Sequence, residues 1–86
     1  MIVITIVGTT PPCAKCRRAE REAKQAVERF PGQVEVRKVD ALSPEAEPYG
    51  LIVTPTVVVD GEIIASGRIA PADQLVQRIQ ATLGGA

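Results

Sequence analysis

Residues 2–7 read Ile-Val-Ile-Thr-Ile-Val, a run that is apolar at nearly every position and mostly β-branched. Alternating apolar and polar residues would mark a strand with one wet face. A continuous run marks a strand buried on both faces. Such a strand needs a packed layer on each side of it. That points to an α/β protein with this segment near the centre of its sheet. Gly8-Thr9-Thr10-Pro11-Pro12 then leaves the ladder, because adjacent prolines cannot donate to it.

From about Cys13 the period changes. Cys16, Ala19, Ala23, Ala26, Val27 and Phe30 recur at three- and four-residue steps, with Lys, Arg and Glu between them. That pattern predicts an amphipathic helix ended by Pro31-Gly32. Val34, Val36 and Val39 predict a second strand over roughly 33–39, parallel to the first because a helix joins them. Ser43-Pro44 signals a short helix, cut off by Pro48. Residues 56–59 and 62–66 form a hairpin about Asp60-Gly61. Pro71 opens a last helix whose buried stripe is Leu75, Val76, Ile79 and Leu83, with Gly84-Gly85 at its end. The expected order is β-α-β-α-β-β-α, a four-stranded mixed sheet flanked by helices on both faces.

With 86 residues the chain supports one domain, 1–86, and one modest core. Phe30 and Tyr49 are its two aromatics, so aliphatic side chains fill that core. Ten Lys and Arg balance ten Asp and Glu. A neutral domain without stacking aromatics has no general attraction to nucleic acid or to an anionic membrane. No apolar run is long enough to span a bilayer, and the N-terminus reads as a strand and not as a signal peptide. A cytoplasmic location is the expectation. In a reducing cytosol two cysteines are poorly suited to a structural staple. The chain has no histidine, which excludes Ser-His-Asp and Cys-His catalysis and any zinc site that uses histidine.

The chemistry then falls to Cys13-Ala14-Lys15-Cys16. Residues three apart on a helix share a face, at a separation that fits a disulfide. Cys13 is expected at or just before the first turn, where unpaired N–H groups and the helix dipole favour a thiolate. Lys15 adds positive charge beside it and would tune its pKa, with Arg17 and Arg18 close by. Cys16, deeper in the turn, suits a resolving role. Cys13 would attack a substrate disulfide, and Cys16 would then displace the reduced substrate. Two other readings stay open on residue type alone: a pair of core cysteines, and metal or iron–sulfur binding completed across a dimer.

Two remote segments point to one family. Pro12-Cys13-Ala14-Lys15-Cys16 opens the first helix, and Tyr49-Gly50-Leu51-Ile52-Val53-Thr54-Pro55-Thr56 precedes a strand and Asp60-Gly61-Glu62. Together they resemble the thioredoxin and glutaredoxin superfamily, and most of all its small archaeal and bacterial thioredoxin-like members. The resemblance implies a thioredoxin-like fold and thiol–disulfide oxidoreductase activity on protein disulfides, with no cofactor. It implies a cis Thr54–Pro55 bond beside the cysteines, and a substrate strand pairing with the backbone of Thr54. Pro12, Thr54 and Pro55 are the expected substrate-binding residues, and an NADPH-linked reductase is the expected donor. Some positions depart from the family pattern. Pro12 stands where thioredoxins commonly have tryptophan, and Val7 where they carry a buried carboxylate. Ser66-Gly67-Arg68-Ile69-Ala70 lacks the Gly-Gly…Asp pattern that binds glutathione in glutaredoxins. Asp40 ends a strand near the edge of the site and is not assigned as a base.

Overall fold

A computed structural model describes residues 1–9, 11, 13–49 and 53–84. The elements run β1 (Ile2–Gly8), α1 (Ala14–Glu28), β2 (Val34–Asp40), a 3-10 helix (Pro44–Tyr49), β3 (Thr56–Val59), β4 (Glu62–Ser66) and α2 (Ala72–Gly84). The strands form one mixed sheet in the order β2-β1-β3-β4. β1 pairs in parallel with β2, and antiparallel with β3. No helix among the described residues is long and apolar enough to cross a membrane.

The apolar run at the start of the chain is buried because β1 is an inner strand. Ile2, Ile4 and Ile6 face one side of the sheet and join Ala19, Ala23, Ala26, Val57, Val59, Leu75 and Ile79 in the main core. The small alanines on α1 let its backbone approach the sheet closely. Thr5, Val7, Thr56 and Val58 point to the other side and are also buried.

α1 packs against α2, and both contribute to the same core cluster. The segment between β2 and β3 forms a six-residue 3-10 helix with Pro48 inside it. Proline removes a donor, and so short a piece cannot repay the cost of nucleating an α-helix. This piece buries Ala46 and lies against β2.

The hairpin turn has positive φ at both Asp60 (49°) and Gly61 (85°), the combination a tight type I′ connection requires. Asp60 also accepts the Val3 N–H through Oδ1 at 3.0 Å, tying the turn back to β1. The start of α2 is tied to α1: Glu22 Oε1 accepts the Ala72 N–H at 2.9 Å. A carboxylate at a helix N-terminus satisfies an otherwise unpaired donor and complements the helix dipole.

Leu83 departs from the expected buried stripe. Leu75 and Ile79 are fully buried, but Leu83 is 46% exposed. It lies in the last turn of α2, beside Met1 and Ile2 at the far end of the sheet, where the helix has run past the core. Replacing Leu75 by Ala should therefore cost about 2–5 kcal/mol in urea unfolding. Leu83→Ala should stay within about 0.5 kcal/mol of the parent.

Candidate active site

The end of β1, the start of α1 and the start of β3 meet at one end of the sheet. β3 runs antiparallel to β1, with Thr56 in register with Val7. The residues just before Thr56 therefore lie beyond the end of β1, on the side where α1 begins. The Thr54–Pro55 peptide bond is cis. Pro55 is buried and Thr54 half-buried. The Thr56 hydroxyl donates to the Val53 carbonyl, which closes this turn.

Gly67 braces the same turn from β4. Its N–H donates to the Pro55 carbonyl at 2.9 Å. Its φ is +73°, and a Cβ there would lie 2.9 Å from Val53 Cγ1, so both conformation and space call for glycine. Arg68 is exposed and donates to the Ile64 carbonyl at 3.3 Å. Tyr49 is half-buried at the end of the 3-10 helix. Pro12 and Gly50–Ile52 lie outside the described residues.

Cys13 is the N-cap of α1. Its backbone is extended (φ −75°, ψ 174°), and its Sγ accepts the Cys16 N–H at 3.3 Å. Its carbonyl accepts the first helical bond, from the Arg17 N–H at 2.9 Å. A sulfur thus takes the place that a Ser or Asp oxygen usually holds at a helix start. Cys13 is exposed, whereas Cys16 is 3% exposed. Both are free cysteines, with their sulfurs in hydrogen-bond contact at 2.9 Å.

This setting lowers the Cys13 pKa from its ordinary 9.0. The largest cause is the hydrogen bond with the Cys16 side chain, followed by the one from the Cys16 backbone N–H. Desolvation opposes them, and the Lys15 backbone amide and the Thr9 hydroxyl add smaller contributions in the lowering direction. Lys15 therefore acts on the thiol through its main chain, and its side chain is exposed. These donors aim at the sulfur and favour its charged form.

Thr9 was not singled out in the sequence. Its Oγ1 accepts the Cys13 N–H at 3.1 Å and lies 3.9 Å from Cys16 Sγ, and its single proton is shared between the Pro11 carbonyl at 3.0 Å and the Cys13 sulfur. A hydroxyl four residues ahead of a cysteine carries no local signal of this role. It arises because Thr9, just past the end of β1, lies beside the start of α1.

A cavity of about 300 Å3 lies between β1, β2 and α1, with Cys16 in its wall. Glu20 also lines it, bound by Lys24 at 3.0 Å and Lys38 at 3.6 Å. The hydrogen bond from Lys24, with the Lys38 charge in support, holds the Glu20 carboxyl below its ordinary value. Among the described residues, no group of three or more His, Cys, Asp or Glu side chains is placed to hold a metal ion.

The family model for the thioredoxin domain matches residues 2–80 of the chain. A thioredoxin of Methanocaldococcus jannaschii is 33% identical over 85 residues, covering 99% of this chain and 94% of the relative. One from Methanothermobacter thermautotrophicus is 33% identical over 75 residues, covering 87% of this chain and 94% of the relative. Among solved structures, chloroplastic thioredoxin z aligns with a TM-score of 0.78 at 22% identity, over 99% of this chain and 80% of its own. Thioredoxin-2 of a malaria parasite aligns with a TM-score of 0.73 at 15% identity, over 93% of this chain and 82% of its own. At these identities the solved structures speak to the fold.

The pKa causes give an ordered expectation. Alkylation of Cys13 by iodoacetamide, followed against pH, should titrate with a midpoint below 9.0. Removing a donor to the thiolate destabilises the charged form, so the midpoint moves up. Cys16→Ala should raise it most and Thr9→Val less. A Thr9→Val midpoint at or below the parent's would contradict the role given to that hydroxyl.

Proposed function

Since the chain belongs to the thioredoxin family and so is a thiol–disulfide oxidoreductase, we propose that Cys13 is its attacking thiol and Cys16 its resolving thiol. A disulfide-bearing protein substrate docks along the backbone at Thr54–Pro55, and Pro12, next to Cys13 in the chain, takes part in its binding. The observation that carries this reading is the asymmetry of the pair. One sulfur is exposed and caps a helix, and the other is buried 2.9 Å away.

The chemistry runs in two exchanges. The Cys13 thiolate attacks one sulfur of the substrate disulfide, and the other substrate sulfur leaves as a thiolate. Charge passes from Cys13 to the leaving sulfur, so the donors that stabilised the thiolate no longer hold a full charge. Cys16 then attacks Cys13 Sγ, the mixed disulfide breaks, and the second substrate sulfur departs. The substrate has gained two electrons and Cys13–Cys16 has become a disulfide. The pair is already close, so closing it needs little movement of the backbone.

Substrate pairing at Thr54 follows β-augmentation, in which an extended segment bonds to exposed main chain and its side chains remain largely unread. That suits a protein acting on many disulfides. Val53, 55% exposed beside this turn, supplies an apolar contact for a residue flanking the substrate cysteine. The oxidised pair is returned to the dithiol by an NADPH-linked reductase of the thioredoxin reductase type.

Reduction of insulin disulfides by dithiothreitol tests the assignment. The chain should accelerate it, and Cys13→Ser should fall to the reagent's own rate. Cys16→Ser should accumulate a covalent adduct with the substrate, visible as a mass increase that dithiothreitol removes. Wild-type turnover in Cys13→Ser would refute the assignment. Added thioredoxin reductase and NADPH should sustain the reaction without dithiothreitol.

A further inference from the structure

Helices favour acidic side chains at their start, where the free N–H groups of the first turn carry partial positive charge. α1 does the opposite. Its first turn holds no acidic residue, and Lys15, Arg17 and Arg18 follow the N-cap closely. Arg21 and Lys24 continue the series over the next two turns, and all of these side chains are exposed. The arrangement works against the helix, so its use lies outside the fold.

The thiol does not need these charges either. Its thiolate is favoured by hydrogen bonds, first with the Cys16 side chain, then with the Cys16 N–H, the Lys15 main chain and the Thr9 hydroxyl. The acidic side chains on the same stretch are already engaged. Glu20 is bound by Lys24 and Lys38, and Glu22 accepts the Ala72 N–H. Among the described residues Arg17 and Arg21 form no ion pair. They stand four apart on one side of the helix and, with Glu20 and Lys24, line a groove of about 290 Å3. The whole chain is neutral, so this surplus is local. Balancing acids lie elsewhere: Glu28 ends α1, Asp60 and Glu62 flank the hairpin turn, and Glu45 and Glu47 are on the 3-10 helix against β2.

We propose that this cationic face of α1 docks an acidic segment of the substrate protein, beside the disulfide that Cys13 attacks. The proposal rests on the attacking role given to Cys13, and it names the substrate class which that thiol serves. An ordinary protein partner covers about 800 Å2 on each side, a disc of about 16 Å radius. Along the helix axis Arg17 is about 6 Å from Cys13 and Arg21 about 12 Å. A partner seated on Cys13 therefore overlies both. Its carboxylates meet guanidinium groups that bind them through paired hydrogen bonds, and the field of the face steers their approach. A basic segment is repelled by the same face, so selection works in both directions.

Synthetic peptides with one common disulfide ring, and tails of four Glu, four Ser or four Lys, test this. Four extended residues reach about 13 Å, enough to meet Arg21 from Cys13. Reduced protein is mixed with each peptide, and the second-order rate of ring opening is read by mass in acid-quenched samples. Dividing by the same peptide's rate with dithiothreitol removes the effect of the tail on the ring itself. At low salt the Glu peptide should react about tenfold faster than the Ser peptide, and the Lys peptide more slowly than either. At about 1 M salt, where the screening length is about 3 Å, the ratios should approach one. Reversing both charges, Arg17→Glu with Arg21→Glu, should invert the preference, and Arg17→Lys with Arg21→Lys should keep it. The reversed variant should melt no lower than the parent, since acidic residues suit a helix start. Arg29→Glu, about 24 Å along the axis from Cys13, should leave the ratios as they are. Equal rates for the three peptides would overturn the proposal. So would a Glu preference that survives the double reversal, or one lost equally in Arg29→Glu. Failure of the parent to open any of the rings would instead remove the attacking role of Cys13, and the proposal with it.

Discussion

β1 hydrogen-bonds along both of its edges, and the geometry of the site follows from that. Its parallel register with β2 sets Asp40 beside Gly8, and its antiparallel register with β3 sets Thr56 beside Val7. The strand ends where its last residue lacks a side chain, and the sulfur of Cys16 occupies the space. A slip of one residue in either pairing would turn every side chain of the slipped strand to the opposite face. The burial of Ile2, Ile4 and Ile6 against the helices therefore holds the registers that set the reactive end.

At that end, folding and reactivity draw on the same hydrogen bond. Cys13 Sγ caps α1 through the Cys16 N–H. A thiolate is a far better acceptor for that N–H, and for the helix dipole, than a sulfur bonded to another sulfur. The helix start thus favours the reduced, charged form of the pair. Such a bias sets how strongly a dithiol gives up its electrons.

Much of this was legible in the residues because the signals are local. The continuous apolar run of β1, the Asp60-Gly61 turn and the small-residue face of α1 each depend on neighbours a few positions away. Three- and four-residue spacing correctly put Cys16 inside and Cys13 at the helix start. The features that were missed depend on remote parts of the chain. Leu83 fits the helical stripe, but α2 outruns the sheet before reaching it. Thr9 gains its contacts only when the end of β1 and the start of α1 come together. The short helix opened by Ser43-Pro44 was legible too, and it is a six-residue 3-10 piece with Pro48 inside it.

The bond from Ala72 to Glu22 spans 50 residues and joins the helix of the dithiol to the last helix of the chain. A ribosome makes α1 before α2. Until α2 has emerged, α1 has neither this clamp at its middle nor the cover of Leu75 and Ile79 on the shared core. Until then the helix that carries both cysteines is held by its contacts with β1 and β2 alone. The thiols reach their working geometry only once α2 has docked.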